Sequence, residues 1–97
     1  MVTHISLMNF TEQGLRGVKD TAKRAAAAAE AAKKFGVTMR EIFWTQGAYD
    51  IVCILEGPDE QSISAFGLAV AVQGNVRSQT LRAYTKDDMG QILAKLP

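Results

Sequence analysis

Glu41–Pro58 reads EIFWTQGAYDIVCILEGP, and this stretch decides the fold. Two apolar runs, Ile42–Trp44 and Ile51–Leu55, flank the tetrapeptide Gln46-Gly47-Ala48-Tyr49. Both runs are rich in β-formers and a glycine stands between them, which is the signal of a β-hairpin. Its strands read as Val37–Thr45 and Ala48–Glu56. The second is apolar on both faces, with Ile51, Cys53 and Leu55 on one and Val52 and Ile54 on the other, because strand side chains alternate. A strand of that kind is usually buried from both sides.

Upstream of the hairpin, Val2–Phe10 reads as a first strand. Ile5 and Leu7 share one face; His4, Ser6, Met8 and Phe10 share the other. Thr11 has the chemistry of an N-cap, and Glu12 suits the positive end of a helix. The sequence predicts a single helix from there to about Phe35, closed by Gly36 in the left-handed position. Leu15, Val18, Ala22, Ala25, Ala29 and Ala32 form its apolar stripe. Gly14 and Gly17 weaken the first turns, either as a fraying end or where another backbone comes close. Arg16, Lys19, Lys23, Arg24, Lys33 and Lys34 make the helix basic and read as a solvated face.

Downstream, Gly57-Pro58-Asp59-Glu60 ends the hairpin and opens a second helix, with Pro58 placed in its first turn. That helix runs to about Gln73 and stops at Gly74-Asn75. Ile63, Phe66, Gly67 and Val70 form one stripe, while Leu68 and Val72 fall outside it. A helix apolar most of the way round calls for cover on more than one side. Val76–Tyr84 is a fourth strand, polar enough for a sheet edge. Thr85 caps a final helix, Lys86–Leu96, whose apolar side is Met89, Ile92, Leu93 and Leu96.

The order β-α-β-β-α-β with a short C-terminal helix is the ferredoxin-like α+β arrangement. It implies a four-stranded antiparallel sheet, the first and third strands central, and both main helices on one face. The other face is then bare, and the two-sided third strand calls for something to cover it. A second copy packed sheet to sheet, as in a dimeric α+β barrel, meets that need.

The 97 residues form one domain, residues 1–97. Hydrophobic content of 47% and charged content of 22% place it among globular chains rather than disordered ones. A net charge of +1 provides no electrostatic draw towards nucleic acid or an anionic membrane, so neither is expected as a partner. One cysteine excludes an intrachain disulfide, and one cysteine with one histidine excludes a four-ligand zinc pattern. No metal and no cofactor are expected. Cys53, inside an apolar run, reads as a small buried hydrophobe. The first residues lack a basic segment followed by a long apolar run, and no stretch is long enough to span a bilayer, so the expected location is the cytoplasm.

Five residues are candidates for a binding site, and none is assigned a catalytic role. His4 is the only histidine and reads as a proton acceptor in a sheet-face cavity or as a solvated or hydrogen-bonded side chain. Trp44 reads as core or interface, with ligand stacking as the alternative. Tyr49 and Asp50 are adjacent at a strand start and point to opposite faces if the strand is regular there. Asp50 at a hairpin end reads as a turn or backbone-bonding residue, with a pocket carboxylate as the alternative. Arg82 reads as a surface side chain, with neutralising a ligand carboxylate or pairing with an acid as the alternatives.

The run from Trp44 to Val52, then Glu56-Gly57-Pro58-Asp59, Gly74-Asn75-Val76-Arg77 and Thr80-Leu81-Arg82-Ala83, resembles the GYD-domain family. Gly47, Tyr49 and Asp50 meet the Gly-x-Tyr-Asp signature that names it. The resemblance covers nearly the whole chain, from the first strand to about Tyr84. It implies a small ferredoxin-like protein, bacterial or archaeal, with no activity attached, and a more distant likeness to dimeric α+β barrel proteins. Taken together, the expectation is a homodimer or higher homo-oligomer that is non-catalytic or binds a small organic ligand. The alternative is a cofactor-free barrel monooxygenase or lyase with His4, Tyr49 or Asp50 as acid or base.

Overall fold

The computed structural model describes Met1–Pro97. Its strands are β1 (Val2–Phe10), β2 (Thr38–Trp44), β3 (Ile51–Gly57) and β4 (Val76–Ala83). They form one sheet in the order β2-β3-β1-β4, each neighbouring pair antiparallel. α1 (Glu12–Arg16) and α2 (Thr21–Lys33) link β1 to β2, α3 (Glu60–Ala71) links β3 to β4, and α4 (Lys86–Leu93) follows the sheet. The expected ferredoxin-like arrangement is therefore present, with β1 and β3 in the centre.

Met8, Ile51, Cys53 and Leu55 point to the helix side, where they meet Ala32, Val37, Ile63 and Phe66 in one buried cluster. The rings of Phe35 and Phe66 lie 5.9 Å apart and tilted by 56°, within the favourable range for aromatic pairs. On the opposite side, Phe43, Val52 and Leu7 form one cross-strand row, and Ile54, Ile5 and Leu81 the next. No helix covers these rows: Phe43 is 53% exposed and Leu81 44%.

The first helix differs from its sequence reading. It breaks into α1, a 3₁₀ turn at Val18–Asp20, and α2. Gly17 ends α1, and its carbonyl accepts from Arg24 Nη1 at 2.8 Å, while the Gly14 carbonyl accepts from Arg24 Nη2 at 3.1 Å. The break resets the helical phase. Leu15 and Val18 are thus exposed, and Ala28, Ala32 and Phe35 carry the contact with the core. Gly14 is a close approach and not a fraying end, since a Cβ there would run into the carbonyl oxygen of Asn75. Thr11 N–H donates to Asn75 O at 3.0 Å and Thr11 Oγ1 to Gly74 O at 2.6 Å, which ties α1 to the α3–β4 turn.

The hairpin strands are shorter than read, and Ala48–Asp50 belong to the turn. Gly47 takes φ +109°, open to glycine without penalty. A register shift between Met39 and Glu41 bends β2. Pro58 precedes α3 rather than entering it. Asp59 is the N-cap and accepts from Ser62 N–H at 2.7 Å, which holds its carboxyl below the usual range. Thr85 and Asp88 form a reciprocal capping box at the start of α4.

Candidate functional site

α2 and α3 do not close over the sheet. Their facing surfaces are built from Ala25, Ala28 and Ala31 on α2 and Gly67 and Ala69 on α3, too small to meet above the strands. A crevice of about 370 Å³ remains between the two helices and the sheet. That volume lies within the range of small-molecule pockets. Ser6, Met8, Ile51 and Cys53 form its floor, Phe66 and Val70 one wall, and Arg24 and Asn75 its polar rim.

The floor is chemically quiet. Burial pushes the Cys53 thiol up to about 11, so it stays protonated and acts as a small apolar group. Arg24 donates to the two glycine carbonyls of the α1–α2 joint. Ser6 is the exception. It is only 7% exposed, lines the crevice, and its hydroxyl bonds to no other side chain or backbone group, so it faces the open space rather than being sealed in. Ser78, opposite Met8 on β4, also lines the crevice with an unpaired hydroxyl, and two such groups on a mostly apolar floor can orient a bound molecule without attracting charge.

None of the five candidates lines this crevice. They fall into two groups at opposite ends of the sheet. His4 and Arg82 are cross-strand neighbours at the end where β1 begins. His4 is buried on the helix side, neither solvated nor in a cavity on the bare sheet face. Arg82 Nε donates to Glu60 Oε1 at 3.0 Å and its guanidinium lies 4.6 Å from the centroid of the Tyr84 ring, so pairing with an acid is its observed role.

Trp44, Tyr49 and Asp50 gather at the hairpin end. Trp44 is not a core residue of the chain: it sits on an edge strand, 45% exposed, and its Nε1–H donates to Thr21 Oγ1 at 3.1 Å. Asp50 Oδ2 accepts from Phe10 N–H at 2.9 Å, and Asp50 N–H donates to Met8 O at 2.9 Å. Tyr49 OH reaches in the other direction, to Gln79 Oε1 on β4 at 2.7 Å. Asp50 therefore locks the turn onto β1 and Tyr49 locks it onto β4, through separate bonds, while Gly47 supplies the positive φ of the turn.

Sequence reasoning missed the crevice residues. The available signal was the concentration of alanine and glycine on two helices that share one sheet face, above strands carrying Ser6 and Cys53. The Ala25–Ala29 run reads simply as strong helix former until its partner helix is known to be small on the same side.

The chain is thus a split βαβ α+β domain with a crevice between its helices and its sheet. The chain belongs to the GYD domain family, which matches residues 4–93. It is also similar in fold to the crystal structure of TTHA0845 from Thermus thermophilus, with a TM-score of 0.50 and 23% identity. That alignment covers 88% of this chain and 95% of the other. No curated protein matches the sequence. No helix is long and apolar enough to cross a membrane.

Proposed function

We propose that this protein binds a small, neutral, apolar organic molecule and does so as a homo-oligomer. The α2–α3 crevice carries the reading: it is about 370 Å³, mostly apolar on its floor and walls, and offers the unpaired hydroxyls of Ser6 and Ser78. A charged ligand would find no free counter-ion there, because both Arg24 Nη groups are held by Gly14 and Gly17. Binding is favoured over turnover, since the acid–base candidates His4, Tyr49 and Asp50 stand outside the crevice and Cys53 remains a thiol.

The oligomeric half of the reading rests on the bare sheet face. Two apolar rows, Phe43–Val52–Leu7 and Ile54–Ile5–Leu81, present a surface suited to a second copy of itself. Face-to-face packing would give the barrel-type association and leave both crevices on the outside.

Titration with the neutral fluorophore Nile red tests the pocket. One saturable site per chain is expected, and Ala28→Trp, which fills the crevice, should abolish it while near-ultraviolet dichroism stays native. No saturable site in the wild type, or equal binding by the variant, rejects the reading. Light scattering tests the assembly, and a mass near 10.5 kDa at all concentrations rejects it.

A further inference from the structure

α4 is an unsupported helix. Thr85–Asp88 gives it a capping box, yet it has no substantial packing on any other helix or strand. Met89, Ile92 and Leu93 fall on one side of α4 at helical spacing and Leu96 follows in the turn beyond it; Met89, Leu93 and Leu96 are 44%, 53% and 65% exposed. Helices shorter than about 12 residues are marginal in water without tertiary contacts, and α4 has 8. An amphipathic helix of that length persists only if its stripe is covered.

The dimensions of the whole chain say that something is missing. It exposes 6635 Å², whereas a compact 10.5 kDa monomer exposes about 5,400 Å². The excess of roughly 1,200 Å² is more than the ~800 Å² that each partner buries in a standard stable interface. The radius of gyration is 14.5 Å against about 12.5 Å for 97 compact residues, and the longest extent is 53 Å. Phe43 and Leu81 on the bare sheet face and Met89 and Leu93 on α4 are among the large apolar side chains that contribute to the surplus.

We infer that α4 is an exchanged arm, which lays its Met89–Ile92–Leu93–Leu96 stripe on a second copy of this chain at the rim of the sheet-to-sheet contact. This inference rests on the homo-oligomer reading above. The two surfaces are continuous: Thr85, the cap of α4, borders the same shallow hollow as Thr3, Glu41 and Ile54 of the bare face. A copy seated on that face therefore lies beside α4. The 8 residues of α4 make a helix about 12 Å long, enough to reach across the two gaps between three strands at ~4.8 Å spacing. A two-fold axis makes the exchange reciprocal, so one contact yields two arms.

The test uses the full chain. Sedimentation velocity over a dilution series gives the dimer Kd, and hydrogen exchange reads α4. The Met89→Asp/Leu93→Asp double variant should raise Kd by about a hundredfold. In the wild type α4 amides should be protected, and in Phe43→Asp, made monomeric through the sheet face, they should exchange freely. A double variant with unchanged Kd overturns the arm and leaves sheet-face association standing. Protection of α4 that survives in monomeric Phe43→Asp also overturns it, because α4 then packs on its own chain. A wild type that stays monomeric overturns both readings. Should the double variant fail to fold, exchange in the wild type against Phe43→Asp decides alone.

Discussion

The two faces of the sheet are built in opposite ways. The helix-covered face carries His4 and Ser6 among its residues, and α2 and α3 leave a crevice above it. The uncovered face carries two apolar rows of three residues each, Phe43–Val52–Leu7 and Ile54–Ile5–Leu81, which Gln79 on β4 and Glu41 on β2 end at the sheet edges. A chain selected only to fold alone would put its polar side chains on the open face and fill the covered one. The proposed function accounts for this contrast: on that reading the covered face is shaped for an occupant and the open face for a second copy. Each side sacrifices some stability of the isolated chain to that end.

The widest gap between the two faces should appear in aromatic truncations. Phe66 is 2% exposed and packs against Phe35, so Phe66→Ala should cost about 3–5 kcal/mol in urea melts. Phe43→Ala on the open face should change the stability of the dilute, dissociated chain by less than about 0.5 kcal/mol. Its effect should emerge only as concentration rises, because the side chain is buried by association rather than by folding. Equal losses at high dilution would mean that the open face contributes to the monomer, and the contrast would collapse.

Alkaline titration probes the covered face from within. The Cys53 thiol moves from 9.0 to about 11 on burial. The folded chain thus holds this proton more tightly than the unfolded chain. Its contribution is complete below pH 9.0 and is lost as pH rises towards about 11. Two units correspond to about 3 kcal/mol as an upper bound. Stability measured against pH should fall more steeply in the wild type than in Cys53→Ala over that window. Parallel curves would show that the thiol reaches solvent through the crevice and that the floor is wet.

Much of this fold is legible in the sequence because its signals are local. Thr11, Asp59 and Thr85 each announce a helix start by the chemistry of capping, and Gly36 and Gly74 take positive φ just after α2 and α3. Alternation in β3 reveals two apolar faces before any neighbour is known. The break at Gly17 is not legible, because the force that makes it is non-local: Arg24 reaching back to two carbonyls and α1 lying on the Asn75 backbone. Trp44 reads as core or interface, and its place on an edge strand, 45% exposed, removes only the first of these. The site is least legible of all. A crevice is a property of what two helices fail to fill, and neither helix alone records it. Asp50 and Tyr49 illustrate the reverse case, where alternation along a strand anticipates two divergent roles although the residues lie in the turn.

The smallest effect sharpens the contrast within the helix layer itself, which is tight at its ends and loose in the middle. Gly14 sits against the Asn75 backbone, and a Cβ at Gly57 would come within 2.8 Å of Ile63 Cγ1. Gly67, on α3 beside the crevice, has nothing within 4 Å of the same position. Gly14→Ala should therefore destabilise by about 1–3 kcal/mol, since backbone must shift to admit the methyl group. Gly67→Ala should stabilise by about 0.5–1 kcal/mol, because a helical glycine loses more entropy on folding than alanine and the new methyl meets no neighbour. Opposite signs in paired thermal melts are the expected result. If Gly67→Ala destabilises instead, α3 lies closer to α2 in solution than the crevice allows. If it stabilises and Nile red binding is retained, the space beside Gly67 is surplus to the ligand. If it stabilises and binding weakens, that space belongs to the site, and Gly67 is glycine for the sake of the occupant.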